Sequence, residues 1–104
     1  MKIYISGKIT GTTDYQQKFD AAKELIITKG HEPISPLDIH HIFRPETTTW
    51  EQYMLVDLGM LRASDAILLL PDWGNSKGAR IEYGEAVRMR KKIYYKIEDI
   101  EQKG

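Results

Sequence analysis

The sequence predicts an α/β fold, a three-layer domain built on a parallel sheet of four or five strands, and three observations carry that prediction. Short runs rich in β-branched and aromatic residues alternate with segments of helical periodicity. The run Ala66-Ile67-Leu68-Leu69-Leu70 is unbroken in its apolar character, as a strand covered on both faces must be. The connections between strands carry helices, which is the pattern of right-handed βαβ crossovers and places any site at the carboxyl ends of the strands. With 104 residues the chain is read as one domain over 1–104.

In chain order, Met1 to Ser6 reads as a first strand stopped at Gly7. A loop from Gly7 to Asp14 follows. From Tyr15 to Lys29, Phe19, Ala22, Leu25 and Ile26 recur at three- and four-residue spacing, with Asp14 placed as N-cap and Gly30 as the stop. His31 to Ser35, flanked and interrupted by proline, suits a strand at a sheet edge. Pro36 to Thr48 reads as an irregular connection and a candidate lid. Thr49 with Gln52 forms a capping-box pattern ahead of a helix running to Ala63, its apolar face made of Met54, Leu58 and Leu61. After the central strand, Pro71 to Ser76 breaks the chain. Lys77 to Lys91 gives a third helix, with Ala79, Ile81, Ala86 and Val87 as its apolar positions, and Lys92 to Tyr95 a last strand. Ile97 to Gly104 is either a helical turn or frayed.

Composition narrows the function. Apolar residues make up 41% and charged residues 29%, an ordinary globular balance. Fifteen Lys and Arg offset fifteen Asp and Glu, so no bulk field draws the chain to a nucleic acid polymer or an anionic membrane. The run Arg88-Met89-Arg90-Lys91-Lys92 reads as a solvated helix end. There is no cysteine, which excludes thiolate chemistry and suits a reducing, cytoplasmic setting. No apolar stretch is long enough for a membrane helix or a secretory leader.

Three polar segments converge under this topology. Gly7-Lys8-Ile9-Thr10-Gly11 lies between strand and helix, where backbone N–H groups can hold a phosphate and Lys8 adds charge, although the same glycines serve equally as a structural turn. Ser76, with Gly78, opens the third helix, as a cap, a ligand donor, or both. Glu82 and Asp57 are the carboxylates best placed for glycosidic chemistry, in which one anion stabilises or traps an oxocarbenium-like carbon and an acid assists the leaving group. Spacing alone also allows Glu82 to lie on a solvated face beside Lys77 or Arg88, and only its combination with Asp57 and the loops raises the site. Asp65 reads as a cap or turn residue and Glu85 as water-facing. His31, His40 and His41 match no familiar ligand set, so no metal is expected. Of Trp50, Tyr53 and Trp73, the last is favoured as ligand-facing, since it sits just before Ser76.

These motifs together resemble the nucleoside 2-deoxyribosyltransferase superfamily, in particular its short, often phage-borne domains of unknown function. The resemblance runs through Met1 to Gly11, Tyr15, Gly30 to Glu32, Trp50 to Met54, Asp57-Leu58, Ser64 to Ile67, Leu70 to Trp73 and Ser76 to Glu82. It implies a small flavodoxin-like or Rossmann-like architecture and a nucleotide or nucleoside ligand, without a cofactor. In the Ser-x-Gly-x-x-x-Glu motif the terminal glutamate is the family's nucleophile, which falls on Glu82; Asp57 is then the acid near the base, and Tyr15 resembles the sugar-side tyrosine. The branch that hydrolyses deoxynucleoside monophosphates grips phosphate with residues that fall on Gly7, Ile9, Gly11 and Ser76. True transferases usually carry Asp where Ser76 stands, and their preceding loop differs from Asp72-Trp73-Gly74-Asn75, so the resemblance leans toward the monophosphate hydrolases. It also implies a homodimer or larger homo-oligomer. The alternative is a nucleotide-binding module, a phage-type sensor or sequestering protein, that uses the same pocket without cleaving its ligand.

Overall fold

The computed structural model describes residues 1–104. Four strands, β1 (Lys2–Ser6), β2 (Glu32–Ile34), β3 (Ala66–Leu69) and β4 (Lys92–Tyr94), form one sheet in the order β2-β1-β3-β4. Every pairing is parallel, with Tyr4 opposite both Ile34 and Ile67, and Ile67 opposite Ile93. Four helices connect and cover it: α1 (Tyr15–Thr28), α2 (Pro36–His40), α3 (Trp50–Arg62) and α4 (Lys77–Arg88). The chain leaves β1 toward β2 on one side and returns to β3 on the other. The strand order therefore switches between β1 and β3, where the carboxyl ends open a crevice.

Side-chain alternation divides β1 between two cores. Ile3 and Ile5 face α1 and pack with Phe19, Ala22, Ile26 and the tail residue Ile100. Tyr4 faces the other layer, with Leu61 of α3 and Ala86 of α4. The apolar run of β3 is buried throughout, between β1 and β4, as its composition requires. Pro33 is tolerated because β2 pairs on one side only.

Local signals explain most boundaries. Thr49 Oγ1 accepts from the Gln52 amide at 3.1 Å while Gln52 Oε1 accepts from the Thr49 amide at 2.8 Å, a complete capping box. Gly30 ends α1 at φ +84°, a backbone that disfavours any side chain.

Two expectations need correction, and two are settled in finer detail. Asp14 holds the N-cap position of α1, its carbonyl accepting from the Lys18 amide at 3.2 Å, but its side chain makes no cap hydrogen bond; the carboxylate accepts from Thr12 Oγ1 at 2.6 Å and pairs with Lys18. The stretch Pro36 to Thr48 is not wholly irregular. Pro36 occupies the first turn of α2, its fixed φ suiting that position, and Leu37 is buried, while Pro45–Thr47 makes one 3₁₀ turn. On α4, Ile81 and Val87 are exposed, and the buried positions are Ala79, Glu82 and Ala86. Of the two readings of the tail, the helical turn holds: Ile97–Asp99 is a 3₁₀ turn, Ile100 is buried, and the Lys103 amide donates to the Lys29 carbonyl at 2.9 Å.

Candidate functional site

A cavity of about 710 Å³ opens over the carboxyl ends of the strands. Gly7, Ile9 and Tyr15 form one wall, His40 and His41 of the α2 segment another, Trp50, Tyr53 and Asp57 of α3 a third, and Ser76, Gly78 and Glu82 the fourth. Thus the loop after β1, the α2–α3 region and the start of α4 meet around one space.

Glu82 lies on its inner side. The residue is 5% exposed, and both carboxylate oxygens are engaged: Tyr4 Oη donates to Oε2 at 2.6 Å and Ser6 Oγ to Oε1 at 2.6 Å. Tyr4 and Ser6 are two residues apart on β1, so the pleat aims both hydroxyls at α4. No cation pairs with this carboxylate. Burial pushes its pKa up to about 7; the Ser6 and Tyr4 hydrogen bonds oppose that rise, negative Asp57 adds to it, and His40 offsets it. The Tyr4 hydroxyl is in turn driven well above its ordinary range, by burial first and then by the charges of Glu82 and Asp57. It stays a hydrogen-bond donor at any physiological pH.

Asp57, also 5% exposed, faces the same cavity from α3, and its Oδ1 lies 2.7 Å from His40 Nε2. The His40 ring stands 4.7 Å from that of Tyr53, which Phe43 meets edge-on at 5.8 Å. This aromatic packing fixes the imidazole plane.

Ser76 caps α4, its Oγ accepting from the Ala79 amide at 3.1 Å, and it lines the cavity at the positive end of that helix. Gly78 permits α4 to approach α3, since a Cβ there would sit 3.2 Å from Met54 Sδ. Gly7 packs directly on the sheet: a Cβ would fall 2.8 Å from Leu70 Cδ1. Beside the cavity mouth, Lys77 Nζ lies 4.7 Å from the Trp50 ring centre.

Of the residues singled out from the sequence, Glu82, Asp57, Tyr15, Gly7, Ile9, Ser76 and Gly78 line this cavity, whereas Lys8, Gly11 and Trp73 do not. Gly11 takes φ +82° at the loop's far end. Lys8 contributes its backbone, whose N–H donates to Asp72 Oδ1 at 3.1 Å; Asp72 Oδ2 also holds Lys18 at 3.2 Å, tying two loops together. Trp73 turns away from the cavity and packs against the α3–α4 core, its ring 4.7 Å from Tyr83, because the 3₁₀ turn Trp73–Asn75 directs it there. Asp65 accepts from the Lys2 amide at 2.8 Å, and Glu85 binds Arg62 and Arg88. Glu82 pairs with neither Lys77 nor Arg88. Tyr4 and Ser6 read from the sequence as strand residues only, and His40 only as an improbable metal ligand. A Tyr-x-Ser pair in an otherwise apolar strand was the available signal for two of them, since buried hydroxyls require partners; His40 had none. No three histidine, aspartate or glutamate side chains gather as a metal-binding set.

A parallel sheet with this strand order and a pocket at its switch point defines the class of doubly wound α/β proteins, here in the form seen in 2-deoxyribosyltransferases. The fold is similar to that of the 2-deoxyribosyltransferase from the psychrotolerant bacterium Bacillus psychrosaccharolyticus, a biocatalyst for nucleoside synthesis. That likeness has 17% identity and a TM-score of 0.71, and it covers 89% of this chain and 69% of the other. It is similar as well to the 2-deoxyribosyltransferase from Leishmania mexicana, with 23% identity, a TM-score of 0.66, and 88% of this chain covered against 61% of the other. The sequence matches no curated protein. The chain belongs to the family described as Domain of unknown function (DUF4406), whose profile matches residues 1–95.

Proposed function

We propose that this protein cleaves the N-glycosidic bond of nucleoside or deoxynucleoside monophosphates, releasing the base to water or exchanging it for another. The observation that carries this reading is Glu82: a buried carboxylate without a cationic partner, held by two hydroxyls on the inner side of a nucleotide-sized cavity, with a second buried carboxylate, Asp57, facing the same space. Ionised, it attacks the anomeric carbon from beneath the sugar, and an ester to Glu82 forms as the base departs. Each oxygen retains a free lone pair after accepting one hydrogen bond, so Tyr4 and Ser6 aim the group without quenching it. Tyr15 borders the sugar. Phosphate rests on the backbone of the Gly7–Gly11 loop and on Ser76 at the start of α4, where the helix dipole favours an anion. That both structural neighbours are 2-deoxyribosyltransferases, one of them a biocatalyst for nucleoside synthesis, supports the same class of ligand.

The test is direct. Purified protein is incubated with a panel of ribo- and deoxyribonucleoside monophosphates, and free base is followed by chromatography beside Glu82→Ala. Base released by the wild type alone, with the variant still folded, supports the glycosidase. Nucleotides that raise the thermal midpoint without being cleaved would make the protein a binding module instead.

A further inference from the structure

The cavity is short of positive charge. Two carboxylates, Asp57 and Glu82, lie on its walls, and Lys77 is the one lysine or arginine among the side chains that line it. The lysine expected to supply charge from the first loop does not do so. Lys8 lies outside the cavity, its Cε 3.8 Å from where a Cβ on Gly11 would stand, and its amide is taken by Asp72 Oδ1. Lys18, one turn into α1, is held between Asp14 and Asp72. Lys77 differs from both. It is exposed at the first position of α4, pairs with no carboxylate, and rests its Nζ on the Trp50 ring, 4.7 Å from the centre. Trp50 is 37% exposed and lines the same cavity, so this contact stands on the rim. An ammonium on an exposed indole is held more weakly than one hydrogen-bonded to an anion, and the flexible four-carbon stem of lysine lets it move from one to the other.

We infer that Lys77 is the residue by which this cavity selects a phosphorylated substrate over an unphosphorylated one, its ammonium exchanging the face of Trp50 for the 5′-phosphate of the nucleotide. The inference rests on the reading of this cavity as a nucleotide site. A phosphate brought toward two carboxylates is opposed by both, and a cation on the rim offsets that opposition. An uncharged nucleoside gains nothing from it. The phosphate carries the same charge before and during cleavage of the glycosidic bond, so Lys77 holds ground state and transition state alike. Its contribution therefore falls on KM and not on kcat.

The experiment compares one deoxynucleoside with and without its 5′-phosphate. Lys77→Met keeps an apolar stem against Trp50 and removes the charge, whereas Lys77→Arg keeps the charge. Both are assayed beside wild type on the two substrates, and thermal midpoints establish that each variant folds. The expected result in Lys77→Met is a KM for the monophosphate raised about 10- to 100-fold, the size of a lost hydrogen bond to a charged group. Its kcat changes less than about 2-fold, as loss of uniform binding requires. Constants for the unphosphorylated nucleoside stay as in wild type, and Lys77→Arg recovers most of the loss. Calorimetry on Glu82→Gln, with and without Lys77→Met, gives Kd for the same two ligands in the absence of turnover, and the same ratio is expected there. Equal weakening of both ligands, a fall in kcat at constant KM, or no change on the monophosphate overturns the role of Lys77. Wild type that binds the monophosphate in a Lys77-dependent way but never cleaves it overturns the glycosidase and leaves Lys77 standing. Binding of neither ligand overturns the nucleotide site and the inference with it.

Discussion

Replacing Glu82 by Gln should make the protein more stable, and only above a defined pH. The carboxyl's ordinary pKa near 4.5 applies in the unfolded chain, whereas burial raises it to about 7 in the fold. The folded state therefore binds the proton more tightly, and stability falls as pH rises through that window. Below about pH 4.5 the group is protonated in both states and costs nothing. Above about pH 7 it is ionised in both, and the fold bears a gap of about 2.5 pH units, which at 1.36 kcal/mol per unit is about 3 kcal/mol. Being 5% exposed, the group gains little from solvent screening. Glutamine is neutral throughout, and its amide can accept from one of the Tyr4 and Ser6 hydroxyls and donate to the other.

Thermal unfolding followed by circular dichroism from pH 4 to pH 8.5, on wild type and variant, measures the difference. Other titrations, such as Glu101 with its pKa lowered to about 2 by Tyr94, its own backbone amide and Lys92, are common to both proteins and cancel in the comparison. The variant should match the wild type near pH 4.5 and exceed it by roughly 10 to 20 °C in midpoint near pH 8, the equivalent of about 3 kcal/mol in a domain of this size. A difference that stays constant across the range, or one that favours the wild type as pH rises, would refute the assignment of Glu82 as a buried group that resists ionisation.

Three further outcomes follow from the same geometry. Tyr4→Phe removes one of the two hydroxyl donors that favour the ionised carboxylate, so the acid limb of kcat/KM should move to higher pH, with a larger loss at pH 6 than at pH 8.5. Ser76→Ala should cost about 1 kcal/mol in urea unfolding, from the lost cap on α4, and should raise KM for nucleoside monophosphates while leaving unphosphorylated nucleosides unaffected. Gly7→Ala forces a methyl to within 2.8 Å of Leu70 Cδ1 and 3.0 Å of Leu70 Cβ, and overpacking there should cost about 1 to 3 kcal/mol in the same assay.

The parts of the fold written in short-range chemistry were legible in the sequence. The capping box of Thr49 and Gln52, the stop at Gly30 and the unbroken run of β3 each need only neighbouring residues to make sense. Helix α2 was not legible, because five residues are too few to show a period and Pro36 reads as a breaker until its place at a helix start is known. Trp73 was misplaced for a related reason: its direction depends on a 3₁₀ turn and on Tyr83, neither of which its flanking residues announce. The carboxylates were identifiable by residue type, but the state of Glu82 was not, since its hydroxyl partners lie 78 and 76 positions earlier in the chain.

That long-range dependence separates a site from a packing detail. The inward face of α4 is otherwise made of alanines that let the helix press on the sheet, and a methionine or glutamine at position 82 would serve that purpose without a charge to bury. Instead the chain places a carboxylate there, denies it a cation, and surrounds it with two hydroxyl donors and the charge of Asp57, an arrangement that holds its pKa near neutrality while weakening the fold. Where a local choice opposes stability and its neighbours are organised around it, function is the ordinary explanation. Asp57 strengthens that argument, because a second buried carboxylate facing the same cavity raises the cost of ionising the first, and packing alone asks for neither.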